Sequence, residues 1–269
     1  MSEQVQEITK KRVVLRLAAE DDVTIQRDVP YIESEGSHLT MDLYYPPNFL
    51  SGSRTPAVIF VSGYSDPGFQ KFLGCKLKDM ESYKSWGKLT AASDLIAITY
   101  SAVDPVSDVD SLLNFVRKNA ASLGIDKDRI GIWSCSGNAP NALSVLMGPA
   151  RDYLKSAVMC YPIVMDVDGH TETAESAKRI GFAYPCAGKS TDEFPKNVPL
   201  LIVRSGRDET PNLNETLDRF LNRAIRSNLP LTIRNYPTAP HAFDILDVSE
   251  TSREIVGSIL AFMRLHLLG

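Results

Sequence analysis

Two hydrophobic patterns divide the chain. In the first part apolar and polar residues alternate. Val23-Thr24-Ile25-Gln26-Arg27-Asp28-Val29 and Leu39-Thr40-Met41-Asp42-Leu43-Tyr44-Tyr45 follow this period of two, as strands with one face toward solvent do. Val13-Val14-Leu15-Arg16-Leu17 also reads as a strand, behind a loose polar tail over residues 1–11, and Ser34-Glu35-Gly36-Ser37 as a turn. From residue 57 the pattern changes: Ala57–Val61 is continuously apolar and Leu95–Tyr100 reads as buried, as in strands covered on both faces, and Arg129–Trp133, Ser156–Tyr161, Leu200–Arg204 and Leu231–Tyr236 are the further strands.

Between these runs the period shifts to that of helices. Helices are predicted over Tyr83–Ala92, Asp108–Ser122 (capped by Ser107 and ended by Gly124), from Asn141 onward, over Glu172–Arg179, Asn212–Ser227 and Ser249–Leu267. Ser62–Gly68 reads as a turn-rich loop and residues 165–197 as an irregular polar insertion. Strands alternating with helices predict an α/β fold with a mostly parallel central sheet flanked by helices. With no repeat or linker, 1–269 is expected to be one domain, and 165–197 a small cap on it.

Composition narrows the function. The net charge is −4 and no basic block occurs, so neither nucleic acid nor a membrane is an expected partner. The polar start, Met1–Glu7, lacks the apolar core of a signal peptide, and no apolar stretch is long enough for a bilayer. Cys75, Cys135, Cys160 and Cys186 have no metal-type spacing and are expected as reduced thiols, which suits a cytoplasmic location. No glycine-rich phosphate loop is present, so no nucleotide cofactor is indicated, and none of any other kind is expected.

The chemistry centres on Arg129-Ile130-Gly131-Ile132-Trp133-Ser134-Cys135-Ser136-Gly137-Asn138, a strand that breaks at small residues and continues as a helix. A nucleophile elbow needs that context, with small residues two before and two after the serine. Ser136 fits, although an ordinary strand-to-helix turn has a similar pattern. A serine hydroxyl needs a base, and the base a carboxylate. In an open parallel sheet such groups gather at the carboxyl ends of strands. Of the four histidines, only His241 follows a sheet strand and precedes the closing helix; His38, His170 and His266 do not. Asp208 follows Leu200–Arg204 and is the expected acid, with Asp166 or Asp168 as rivals. Backbone N–H groups of Gly137 and of Tyr64, in Ser62-Gly63-Tyr64, are the expected oxyanion donors. Cys135 is expected to be a buried, inert thiol turned away from the site. Asp166-Val167-Asp168-Gly169-His170 reads as a solvated acidic loop before it reads as a metal site, and no metal is assigned.

With Asp126–Gly137, Gly206-Arg207-Asp208 and Pro240-His241-Ala242-Phe243 in this order, the chain resembles the α/β-hydrolase superfamily from about Leu39 to its end. It looks most like the branch of dienelactone hydrolases and of acylaminoacyl and prolyl peptidase catalytic domains. It departs from that pattern at Ser62 (usually His), Ser134 and Asn138 (usually Gly). The resemblance implies a serine hydrolase acting on a small-molecule ester; a peptidase or amidase, or a non-catalytic binding protein of the same fold, is the alternative. Phe69, Phe72, Phe182 and Tyr184 are the expected lining of an acyl site for short to medium neutral acyl groups.

Overall fold

A computed structural model describes residues 7–34, 37–149 and 151–269. Residues 1–6 of the expected tail and Glu35 and Gly36 of the expected turn lie outside the described residues. The alternating runs become β1 (Thr24–Ser34) and β2 (Ser37–Tyr45); the apolar ones become β3 (Thr55–Phe60), β4 (Ile96–Tyr100), β5 (Ile125–Cys135), β6 (Leu154–Cys160), β7 (Leu200–Ser205) and β8 (Leu231–Tyr236). They form one sheet in the order β1-β2-β4-β3-β5-β6-β7-β8. β2 is antiparallel to both β1 and β4, and every pairing from β4 through β8 is parallel. The change of pattern at residue 57 is thus the change from antiparallel edge to parallel centre.

Successive side chains of a central strand point to opposite faces. Ala57 and Ile59 of β3 join one core, Val58 and Phe60 the other. The first core is closed by α3 (Pro105–Lys118), α4 (Ala139–Leu146) and α6 (Leu213–Arg226). The second is closed by α1 (Asp66–Leu73), α2 (Glu81–Ala91) and α8 (Glu250–Leu268). The segment 165–197 carries α5 (Glu172–Ile180), and α7 (Phe243–Leu246) precedes α8. Among the described residues no helix is long and apolar enough to cross a membrane.

Three elements differ from the sequence reading. Val13–Leu17 is not a strand: the N–H groups of Val13 and Val14 go to Ser85 Oγ (3.0 Å) and the Asp244 carbonyl (2.8 Å), not to a sheet neighbour. α3 starts three residues early, because Asp104 caps it with a carboxylate that accepts the Val106 N–H (3.2 Å), and Pro105 occupies the first turn. The expected loop at Ser62–Gly68 ends in α1, capped by Ser65, whose hydroxyl accepts the Gly68 N–H. Pro67 read as a turn residue, but the first turn of a helix accommodates proline equally well.

Candidate active site

β5 ends at Cys135, and Ser136 turns the chain into α4 with φ +51°. A non-glycine residue in this left-handed region is strained by roughly 1–3 kcal/mol and persists only where its surroundings hold it. Here the Ile163 N–H donates to the Ser136 carbonyl at 3.0 Å. The turn presents Ser136 at the carboxyl end of the sheet.

Two further loops bring partners to it. The Gly206 N–H donates to the Tyr236 carbonyl and the Arg207 N–H to that of Ala239, both at 2.8 Å, lacing the loop after β7 to the loop after β8. Asp208 and His241 therefore meet, with Asp208 Oδ2 2.6 Å from His241 Nδ1. A carboxylate only accepts, so Nδ1 carries the proton and leaves Nε2 as the acceptor. Nε2 lies 2.9 Å from Ser136 Oγ. The Asp208 side chain is fully enclosed. Burial pushes its pKa up, but the hydrogen bond and charge of His241 and the Thr210 N–H outweigh burial and leave it below the ordinary value.

The two expected oxyanion donors are held differently. Gly137 follows Ser136 and sits beneath the Phe182 ring, which a Cβ at this position would approach to 2.7 Å. The Tyr64 N–H faces only the Ser62 hydroxyl, at 3.4 Å, longer than an ordinary hydrogen bond.

Ser136 and His241 open onto a cavity of about 180 Å³. Its walls are apolar and largely aromatic: Phe69, Leu77, Met80, Tyr83, Trp86, Trp133 and Phe182. Ile8 adds to them from the N-terminal segment. Of the four expected lining residues, Phe69 and Phe182 are there. Phe72 and Tyr184 are not. Phe72, one turn further along α1 than the buried Phe69, is 63% exposed. Tyr184 faces a separate, polar cavity of about 440 Å³ in the cap, where its hydroxyl meets the Asp166 carboxylate (3.0 Å) and backbone N–H (2.7 Å). Asp166 also accepts the N–H groups of Thr173 and Ala174 at the head of α5, so this rival acid is committed to the cap. Its neighbour Asp168 lines the same cap cavity, and His170 pairs with Glu172 (3.1 Å). Among the described residues no cluster of His, Cys, Asp or Glu is arranged to hold a metal ion.

Cys135 is a second correction. It is buried, but it lines the Ser136 cavity instead of turning away from it, with its thiol 3.5 Å from the Tyr83 hydroxyl. Burial pushes that thiol up to about 12, so it stays protonated and unreactive.

The sequence reading missed Asp244. This acid, 2% exposed, accepts the Trp86 indole N–H (2.7 Å) and the Tyr161 hydroxyl (2.8 Å). Burial raises its pKa, with those two bonds opposing. Tyr161 packs against the imidazole of His241, their ring centres 4.8 Å apart, so Asp244 reaches that ring through a phenol. Only its place three residues after His241 could have drawn attention to it.

No family model matches the chain, and no curated protein sequence matches it. Solved structures do. A thermophilic esterase of the planctomycete Thermogutta terrifontis is 18% identical, with 93% of this chain and 95% of that one covered and a TM-score of 0.64. The same esterase with propionate bound is also 18% identical at a TM-score of 0.64, with 91% and 95% covered. A fungal esterase from Rhizomucor miehei is 16% identical, with 95% and 90% covered and a TM-score of 0.69. Together with the strand order, these likenesses give the chain the α/β-hydrolase fold.

Proposed function

We propose that the protein is a serine hydrolase that cleaves carboxylic esters of short to medium neutral acyl groups. The observation that carries this reading is the unbroken chain from Asp208 through His241 to the strained Ser136, opening onto an apolar cavity. His241 takes the proton of Ser136 as its oxygen attacks the ester carbonyl, and Asp208 holds the imidazole and stabilises its charged form. The tetrahedral oxyanion is met by the Gly137 and Tyr64 N–H groups. His241 then protonates the departing alcohol and activates the water that releases the acid. The small cavity suits short acyl groups, as does the binding of propionate by the Thermogutta esterase. Within the fold, the motifs around Ser136, Asp208 and His241 support a reading in which the chain falls in the dienelactone hydrolase and acylaminoacyl-peptidase-like branch. The unpaired thiols suit a cytoplasmic enzyme. A fluorophosphonate should label Ser136, and Ser136→Ala should abolish both labelling and hydrolysis of p-nitrophenyl butyrate. Undiminished hydrolysis by that variant would refute the mechanism.

A further inference from the structure

We propose that Asn138 and Asn141 are positioning residues that clamp the Ser62–Gly63 peptide from both ends and thereby aim the Tyr64 N–H at the oxyanion. The proposal rests on the serine-hydrolase reading above. Asn138 Oδ1 accepts the Gly63 N–H at 2.8 Å. Asn141 Nδ2 donates to the Ser62 carbonyl at 2.7 Å. These two groups belong to one planar peptide unit, so holding both fixes its plane. The asparagines are themselves fixed. Asn138 Nδ2 donates to the Tyr83 hydroxyl (3.2 Å) and Asn141 Nδ2 to the Pro105 carbonyl (2.8 Å); the two residues are 4% and 1% exposed.

The next peptide is held too. The Gly63 carbonyl accepts the Ala183 N–H at 2.7 Å. In a trans peptide the Tyr64 N–H points away from that carbonyl. Its contact is the long one to the Ser62 hydroxyl at 3.4 Å, and that hydroxyl donates in turn to the Tyr64 carbonyl at 2.9 Å. The Gly63 N–H is consumed by Asn138, which leaves the Tyr64 N–H as the one of these two free to strengthen a bond when negative charge develops. The fit is close: a Cβ on Gly63 would stand 2.9 Å from Asn138 Cα and from the Gly137 carbonyl oxygen. Asn138 replaces the usual outer glycine of the elbow, and its side chain does what a glycine cannot, tying the nucleophile turn to the oxyanion loop.

The test compares Asn138→Ala, Asn138→Asp and Asn141→Ala with the natural protein on p-nitrophenyl butyrate, with thermal midpoints measured alongside. Removing an oxyanion donor costs about 10²–10³ in kcat, so a donor merely released from its aim should cost about 10- to 100-fold in Asn138→Ala and Asn141→Ala, with KM changed by less than about threefold. Asn138→Asp keeps the shape and an acceptor oxygen for Gly63 but loses the donor to Tyr83, and should recover part of the kcat lost in Asn138→Ala. Unchanged kcat in folded Asn138→Ala overturns the proposal. So does an equal loss in Asn138→Ala and Asn138→Asp that follows their thermal midpoints. Should Asn141→Ala not fold, the Asn138 pair decides alone. A natural protein that neither hydrolyses the ester nor takes a fluorophosphonate refutes the serine-hydrolase reading itself, a result separate from failure in the variants only.

Discussion

The cap cavity is more than twice the size of the one beside Ser136, yet it assembles less chemistry. Its polar groups answer one another: Asp166 caps α5 and meets Tyr184, while Lys189 pairs with Glu193 (3.5 Å). Beside the smaller cavity Ser136, His241 and the enclosed Asp208 converge from loops after β5, β8 and β7, against apolar walls. Volume measures how loosely an insertion packs, whereas a reactive site requires groups held in place by several strands at once.

Exchanging the acids gives the largest expected contrast. Asp208→Asn should keep the fold and lower kcat by about 10⁴-fold, the loss seen in the best-studied Ser–His–Asp enzymes, because an amide leaves His241 in the wrong tautomer. Asp166→Asn should change kcat by less than about threefold, since Asp166 serves only the cap. Steady-state kinetics of both variants decide it. The reverse order of effects would move the chemistry to the cap cavity.

The meeting of Ser136, Asp208 and His241 was legible in the sequence, and most of the contacts in 165–197 were not. Ser136, Asp208 and His241 each come after a strand, and a parallel sheet brings the ends of its strands together whatever the details of packing. Phe72 and Tyr184 were misplaced because nothing in the local pattern says which way an aromatic residue on a short helix or in an irregular insertion will face. Trp133 lies in a run read as a strand, but its contact with Trp86 of α2, their ring centres 5.1 Å apart, is a long-range one without a local signature. Ile8 was read as part of a tail for the same reason: the contacts that lay the N-terminal segment over the cavity are made to Ser85 and Asp244.

A moderate effect is expected from the aromatics that separate the two cavities. The natural protein should show its highest kcat/KM on p-nitrophenyl esters of about C2–C8 and little on C16, because each methylene a pocket cannot house costs roughly 10- to 200-fold in discrimination. Phe182 forms the outer wall, packed on Tyr64 (4.8 Å) and Phe69 (6.4 Å). Phe182→Ala should move the optimum to longer chains. Tyr184→Phe, two residues on but facing the cap cavity, should leave the profile where it was. An optimum that shifts with Tyr184→Phe and not with Phe182→Ala would assign acyl binding to the larger cavity.

The smallest effect concerns stability, and it depends on the enclosure that distinguishes the Ser136 site. Two acids there flank His241 with opposite shifts from the same ordinary value of 3.8: Asp208 lowered, Asp244 raised. For Asp208 the fold favours the charged form. Its contribution is complete above 3.8 and is lost as pH falls through its lowered pKa. For Asp244 the fold favours the neutral form. Its contribution is complete below 3.8, declines as the unfolded chain ionises, and is gone once pH has risen through its raised pKa. An asparagine at 244 still accepts the Trp86 N–H and donates to the Tyr161 oxygen, so the side-chain bonds survive while the ionisation does not. The thermal midpoint of Asp244→Asn relative to the natural protein should therefore rise as pH increases above about 4, and for Asp208→Asn the difference should change below about pH 4. Thermal melts from acid to neutral pH measure both. A difference for Asp244→Asn that stays flat from acid to neutral pH would mean that water reaches this carboxyl, and that the Ser136 cavity is less closed than its walls imply.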